Sequence, residues 1–169
     1  MPLVHYASMI STAKALAITR IAIGFYFLSQ AFDKTRGGWL ADGAPMVRII
    51  EVASRNTEPF YRPFLEGTVL PNATVFAQIV TIGEWGAGIS LALGLLTRVG
   101  SVAVLLMVIH YMLMKGLANN IGSIDRAFAA AAVAFFLASA GMTWGLDGVL
   151  YHGLRQSGAG RLLLGRPTR

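Results

Sequence analysis

Three ionisable residues lie well inside long apolar stretches: Arg20 in "AKALAITRIAIGFYFLSQAF" (13–32), Glu84 in "TIGEWGAGISLALGLLTRVG" (81–100) and His110 in "VGSVAVLLMVIHYMLMKGL" (99–117). A charge at mid-membrane costs about 2.5–3.5 kcal/mol on insertion scales, so each is expected to face a bundle interior and find a partner there. Arg20 and Glu84, opposite in sign, are the expected couple. Counted from one membrane face at 1.5 Å per residue, Arg20 lies about 18 Å deep, Glu84 about 15 Å and His110 about 12 Å. The three are therefore expected to meet as one polar cluster. Such a cluster either sets helix register as an ion pair, or has a function, binding a quinone headgroup or relaying protons. His110 can hydrogen-bond a quinone carbonyl, bind a pigment, or satisfy Tyr111 or Glu84. It cannot supply both axial ligands of a bis-histidine haem, since His5 and His152 lie near the termini and on the opposite side.

The remaining composition narrows the chemistry. There is no cysteine, which removes disulfides, iron–sulfur ligation and covalent haem attachment from this chain. No Walker loop, HExxH, GxSxG or metal-ligand spacing is present, so no catalytic residue is assigned and no metal is expected. The net charge of +6 is spread over loops and a tail rather than gathered on a soluble face with stacking aromatics. It suits anionic lipid headgroups and not nucleic acid.

Positioning those residues falls to elements sized for a bilayer. The 169 residues are 55% hydrophobic and 13% charged, against about 25% charged in an ordinary soluble domain. The apolar residues gather into blocks of about 20, the span of a membrane helix. The expected fold is all-α and integral to the membrane: one domain over 1–169, a bundle of four transmembrane helices at about 13–32, 73–96, 99–117 and 126–146. The first block is too long for a signal-peptide core and no A-x-A pattern follows it, so a retained helix is expected. "LTRVG" is short enough to make the second and third spans an antiparallel hairpin. Gly86, Ser90 and Gly94, and likewise Ala130, Ala134 and Ala138, recur every fourth residue and are expected to let helices approach closely.

The long connection, 33–72, is polar and marked by prolines. Within it "APMVRIIEVASRN" sets Met46, Val47, Ile49, Ile50, Val52 and Ala53 on one side, predicting a helix lying at the membrane interface. Pro59, Pro63 and Pro71 are expected to break helices, and Phe60, Tyr61 and Phe64 to form an aromatic cluster at the interface, a lid packed on the bundle ahead of a ligand-contacting role. Asp33, Lys34, Asp125 and Arg126 fall at span ends, where solvated charge is expected. The basic tail, 153–169, and Arg98 share one side, which predicts both termini inside and the connection outside. Thr57 is then expected to be open to aqueous reagents and Ser157 shielded.

The motifs carry a family resemblance as well. "TRIAIGFYFLSQAFDK" resembles the R-x-x-x-G-x-x-F…K opening of the DoxX/DoxD family of four-helix membrane proteins, through Arg20, Gly24 and Lys34. The block "FLEGTVLPNATVFAQIVTIGEWGAGISLALGLLTRVGS" resembles its second span, and "AGMTWGLDGVL", with Asp147, its closing GLD signature. Ala31 stands where the family often has glycine, a change that keeps a small residue. The resemblance implies a bacterial or archaeal membrane and association with redox enzymes; the DoxD type is linked to thiosulfate oxidation coupled to quinone. Two functions follow as expectations. One is a membrane subunit of a quinone-linked redox complex, with quinone the candidate cofactor and Arg20, Glu84 and His110 lining its site. The other is a non-catalytic accessory or assembly subunit packed against a larger respiratory or photosynthetic complex. Both imply the lipid bilayer and other membrane subunits as partners, in the bacterial cytoplasmic membrane. A small-solute carrier is disfavoured, since no pair of broken half-helices is evident.

Overall fold

A computed structural model describes residues 11–118, 123–154, 160 and 163–165; His5 and most of the basic tail lie outside them. The described residues that form regular structure are helical, as the composition predicts. Helix α1, Thr12–Arg36, starts where the Ser11 hydroxyl accepts the Lys14 N–H and stops at Gly37, followed by Gly38 with φ +82°. It runs four residues past the boundary expected at 32.

The connection is shorter than the expected 33–72, because helical structure resumes at Arg62. Helix α2, Ala44–Ala53, forms as predicted and buries Met46 and Ile50 against α4 and α5, leaving Ile49 and Val52 exposed. A short α3, Arg62–Phe64, leads through a wider π turn, Leu65–Val69, and a 3-10 turn, Leu70–Asn72, into α4, Ala73–Leu93. Pro63 and Pro71 do not end this run. Each stands in the first turn of its element, where a missing N–H breaks no helical hydrogen bond.

Helix α4 ends at Gly94, φ +64°, and α5, Thr97–Lys115, begins three residues later, giving the predicted hairpin. The last apolar block departs from expectation. Instead of one span over 126–146, α6 covers Ile124–Ala138, Ser139 takes φ +48°, a 3-10 turn follows at Ala140–Met142, and α7 covers Leu146–Leu154. The break has a packing cause: it turns the chain so that Gly145 lies against Gly94 and Asp147 reaches the start of α5.

Helix α1 packs antiparallel along α4, α4 against α5, and α5 along α6. Part of the expected small-residue stripe does serve close approach: Ser90 meets Gly100 of α5, and Gly94, which ends α4, lies against Gly145. Nothing lies near Gly86, and Ala130 is exposed. Between α1 and α4 the approach comes from glycines outside the stripe: Gly24 abuts the Ala92 backbone, and a Cβ on Gly88 would stand 2.8 Å from the Leu28 nitrogen. Gly88→Leu must therefore prise α1 from α4, and should lower stability in detergent by about 1–3 kcal/mol or more, read from its thermal midpoint.

Charged groups are buried within an apolar core while large apolar side chains face outward. Arg20, Glu84, Asp125 and Asp147 are buried, while Phe25, Ile82, Leu106 and Leu137 are each more than 60% exposed. α1, the run Arg62–Leu93 and α5 are long and apolar enough to cross a membrane. Burying charge and exposing hydrocarbon is the arrangement a bilayer stabilises and water does not. The protein is integral to the membrane, and should stay in the pellet after alkaline carbonate washing. Release into the supernatant would contradict this.

Candidate functional site

Two polar centres occupy opposite ends of the bundle, and the three residues expected to cluster are divided between them. The first surrounds Glu84. On α4 its carboxylate is 1% exposed and accepts hydrogen bonds from Lys34 Nζ of α1 at 2.6 and 2.7 Å, and from the Tyr111 hydroxyl of α5 at 2.8 Å. Its positive partner is thus Lys34, not Arg20. A second ion pair lies alongside, Lys115 Nζ to Asp125 Oδ2 at 2.8 Å. Lys34 and Asp125, expected as solvated interfacial charges, are half-buried and buried; Asp33 and Arg126 are exposed as expected.

Tyr111 joins the pairs. The Lys34 and Lys115 ammonium groups stand 5.9 and 5.6 Å from its ring centroid, and Lys34 also lies 5.3 Å from the Trp39 ring. Such contacts stabilise a cation held away from bulk water. His110 adjoins this centre and not Arg20: it packs edge-on to Tyr111, and its Nδ1 hydrogen-bonds with the Tyr61 hydroxyl, which ties the connection to α5. Burial holds the Tyr61 phenol above its ordinary pKa, so it keeps its proton beyond the usual range near 10. Because the folded form binds that proton more tightly, the contribution is complete below pH 10 and fades as pH rises further. Tyr61→Phe should flatten this alkaline loss in a stability–pH profile.

These side chains border a cavity of about 180 Å³. Lys34, Glu84, His110, Tyr111, Lys115, Asp125 and Gln30 supply its polar wall, and Phe27, Met46, Ile50, Val108 and Phe128 its apolar wall, with α2 as cover. Below it Tyr26, Phe27 and Phe128 form an aromatic floor, with centroids 4.7–5.7 Å apart. The connection is fastened over the α5 end by Thr57 Oγ1 donating to the Met114 carbonyl at 2.8 Å, and by Glu58 accepting the Leu117 N–H at 2.7 Å. Thr57 is consequently 4% exposed, not open as expected. Among the described residues no group of three or more metal-ligating side chains occurs.

The second centre belongs to Arg20 and Asp147, both fully buried. Arg20 donates to the Leu91 carbonyl at 2.7 Å and the Trp144 carbonyl at 3.1 Å, closing the ends of α4 and of the turn before α7. Asp147 accepts the N–H groups of Leu96 and Thr97 at 2.6 and 2.9 Å, capping α5, and adds a counter-charge for Arg20. Here the motif residues are fasteners. Gly24 likewise serves the α1–α4 contact.

The antiparallel register explains the division. Gly24 lies beside Ala92, Leu28 beside Gly88 and Lys34 beside Glu84, so Arg20 falls at the level of the α4–α5 turn. Sequence reasoning missed Tyr111 as Glu84's donor and Lys115–Asp125 as a pair. The available signal was the helical stripe Val104, Val108, Tyr111, Lys115, which places a tyrosine and a lysine on the cavity-facing side of α5.

No curated protein and no solved structure matches this chain. The sequence does match the family model described as DoxX over residues 15–115, more than half of its length and the stretch that holds Arg20, Gly24, Lys34, Glu84 and Tyr111. The chain is a member of the DoxX family.

Proposed function

We propose that this protein is a membrane subunit of a quinone-linked redox complex and that the cavity between α1, α4 and α5 receives the quinone ring. The observation that carries the reading is a ring-sized space with ammonium, phenol and imidazole donors on one wall and aromatic and aliphatic carbon on the other. An engineered cavity of about 150 Å³ holds one benzene ring, so about 180 Å³ suits one substituted ring. In this reading Lys34, with one N–H beyond its two bonds to Glu84, donates to a quinone oxygen, Tyr111 steadies Glu84, and Glu84 takes or returns a proton that accompanies reduction. The electrons come from the partner subunits. In this reading the chain crosses the bilayer four times, with α6 and the turn after it as the fourth crossing, α2 at the interface and both termini in the cytoplasm.

The test is purification in mild detergent from the native bacterial membrane, with an inventory of quinone, haem, pigment and co-purifying proteins, followed by quinone titration of the isolated chain. Bound quinone and quenching of Trp39 fluorescence are expected. A quinone-free complex whose isolated chain shows no quenching would refute the reading. For orientation, Asn56→Cys, at an exposed position beside Thr57, should react with impermeant thiol reagent in intact cells, and Ser157→Cys should not.

The accessory-subunit reading has one observation in its favour. Glu84 and Asp125 each have an ammonium partner within the chain, as a purely structural site requires. It predicts a stable, ligand-free complex whose assembly fails when this chain is removed.

A further inference from the structure

The cavity is too small for anything but a head. At about 180 Å³ it lies below the ~300–1,000 Å³ of pockets that enclose whole drug-sized ligands. A tail attached to a ring in this space must leave through a wall, and the walls differ. On the α1–α4 side Gly24 and Gly88 bring the two backbones into contact, leaving no gap. α4 against α5 and α5 against α6 are also packed along their lengths, whereas α1 and α6 touch only briefly. Towards the aqueous face Trp39, Met46 and Ile50 are buried over the cavity, and Thr57, Glu58 and Tyr61 fasten the connection to α5.

Of the exposed lining residues, Lys115 stands at the α5 end, held there by its ion pair with Asp125, and the others point to the remaining wall. Tyr26 and Gln30 on α1 are half-buried, Ile49 of α2 is 45% exposed, and Asp125 and Phe128 of α6 face them across the cavity. Gln30 stands three residues inside Asp33, the next exposed charge on α1, about 4.5 Å along the axis, so in the four-span reading this wall opens at the edge of the hydrocarbon. On α6, at the same end of the bundle, Ile124 is an exposed apolar group suited to lie against a chain of methylenes.

We infer that the cavity is loaded sideways from the bilayer, through the seam between α1 and α6 past Gln30 and Ile49, by an amphipathic molecule whose ring enters and whose apolar tail stays in the lipid. This rests on the ring-binding reading above. It adds the ligand class, a bilayer-dissolved tailed ring instead of a water-borne solute, and the port. Gln30 is the gate residue: its amide sits where a passing head exchanges lipid for the Lys34–Glu84–Tyr111 wall.

A chain without cysteine makes the test direct. The Gln30→Cys variant, in lipid nanodiscs, is treated with a bilayer-partitioning maleimide or with an impermeant sulfonated maleimide. The lipid-borne reagent should modify it at least tenfold faster. Loading is followed by quenching of Trp39 in a Trp85→Phe, Trp144→Phe background, with a benzoquinone bearing a ten-carbon tail and with the same ring lacking the tail. The tailed quinone should load at a rate set by its mole fraction in lipid, and modification at Gln30→Cys should slow it at least tenfold. Faster reaction with the impermeant reagent, or unchanged loading after modification, would overturn the sideways port while leaving ring binding intact. Lipid-side labelling without quenching by either quinone would instead overturn the ring-binding reading, and with it the assigned ligand class.

Discussion

Glu84→Gln and Lys34→Met should each destabilise the detergent-solubilised protein by about 3–5 kcal/mol, and the double variant should recover most of that loss. The reason is geometric. Glu84 is 1% exposed, and Lys34 meets both of its oxygens at 2.6 and 2.7 Å, so either single change leaves a buried charge without its partner. Tyr111, at 2.8 Å, offers the survivor a neutral hydrogen bond, which replaces part of the interaction and no net charge. Arg20→Met combined with Glu84→Gln should be additive, because Arg20 bonds to the Leu91 and Trp144 carbonyls at the far end of α1. Thermal or denaturant unfolding of the five variants measures all of these terms. Strong coupling of Arg20 with Glu84, or none of Lys34 with Glu84, would contradict the assigned pairs.

Asp147→Ala should be comparably severe, at about 2–6 kcal/mol, since it strips a charged acceptor from two backbone N–H groups at about 1–3 kcal/mol each. Those groups belong to Leu96 and Thr97 at the start of α5, in a site where Asp147 itself has no exposure. The same change removes Arg20's counter-charge. Asp147→Asn keeps one acceptor and should cost less. Hydrogen exchange at the Leu96 and Thr97 amides distinguishes local uncapping from global loss: both should exchange faster in Asp147→Ala even at temperatures where the variant is folded. Unchanged protection there would remove Asp147 from its capping role.

What could be read in advance followed from one-dimensional pattern. Apolar blocks of membrane length located α1, α4 and α5, and the spacing of Met46 and Ile50 located α2. The need for buried charges to be paired was also legible, but the partner was not. Depth counting treated the helices as starting level, whereas α1 runs on to Arg36 and α4 begins about 14 Å beyond the α1 end when aligned on Lys34–Glu84. That offset moves Glu84 towards the connection and leaves Arg20 at the opposite turn. Register of this kind is set by the Gly24–Ala92 and Gly88–Leu28 contacts, which no periodicity within a single helix encodes. The break at Ser139 was hidden for a similar reason. Its left-handed backbone is imposed from outside, by Gly145 against Gly94 and Asp147 at the α5 start.

The family motif divides along the same line. Arg20, Gly24 and Asp147 hold helices together at one end, and Lys34 with Glu84 forms the polar wall of the cavity at the other. A ligand site and a register-setting pair make opposite predictions for one protein. The decisive measurement is quinone binding to the Lys34→Met, Glu84→Gln double variant, followed by Trp39 fluorescence in nanodiscs after circular dichroism has established a folded bundle. Because both charges are gone together, the variant should fold and should bind a tailed quinone at least tenfold more weakly than the unmodified chain. Undiminished binding would mean that the pair only sets helix register, and that the cavity wall it forms has no part in recognition.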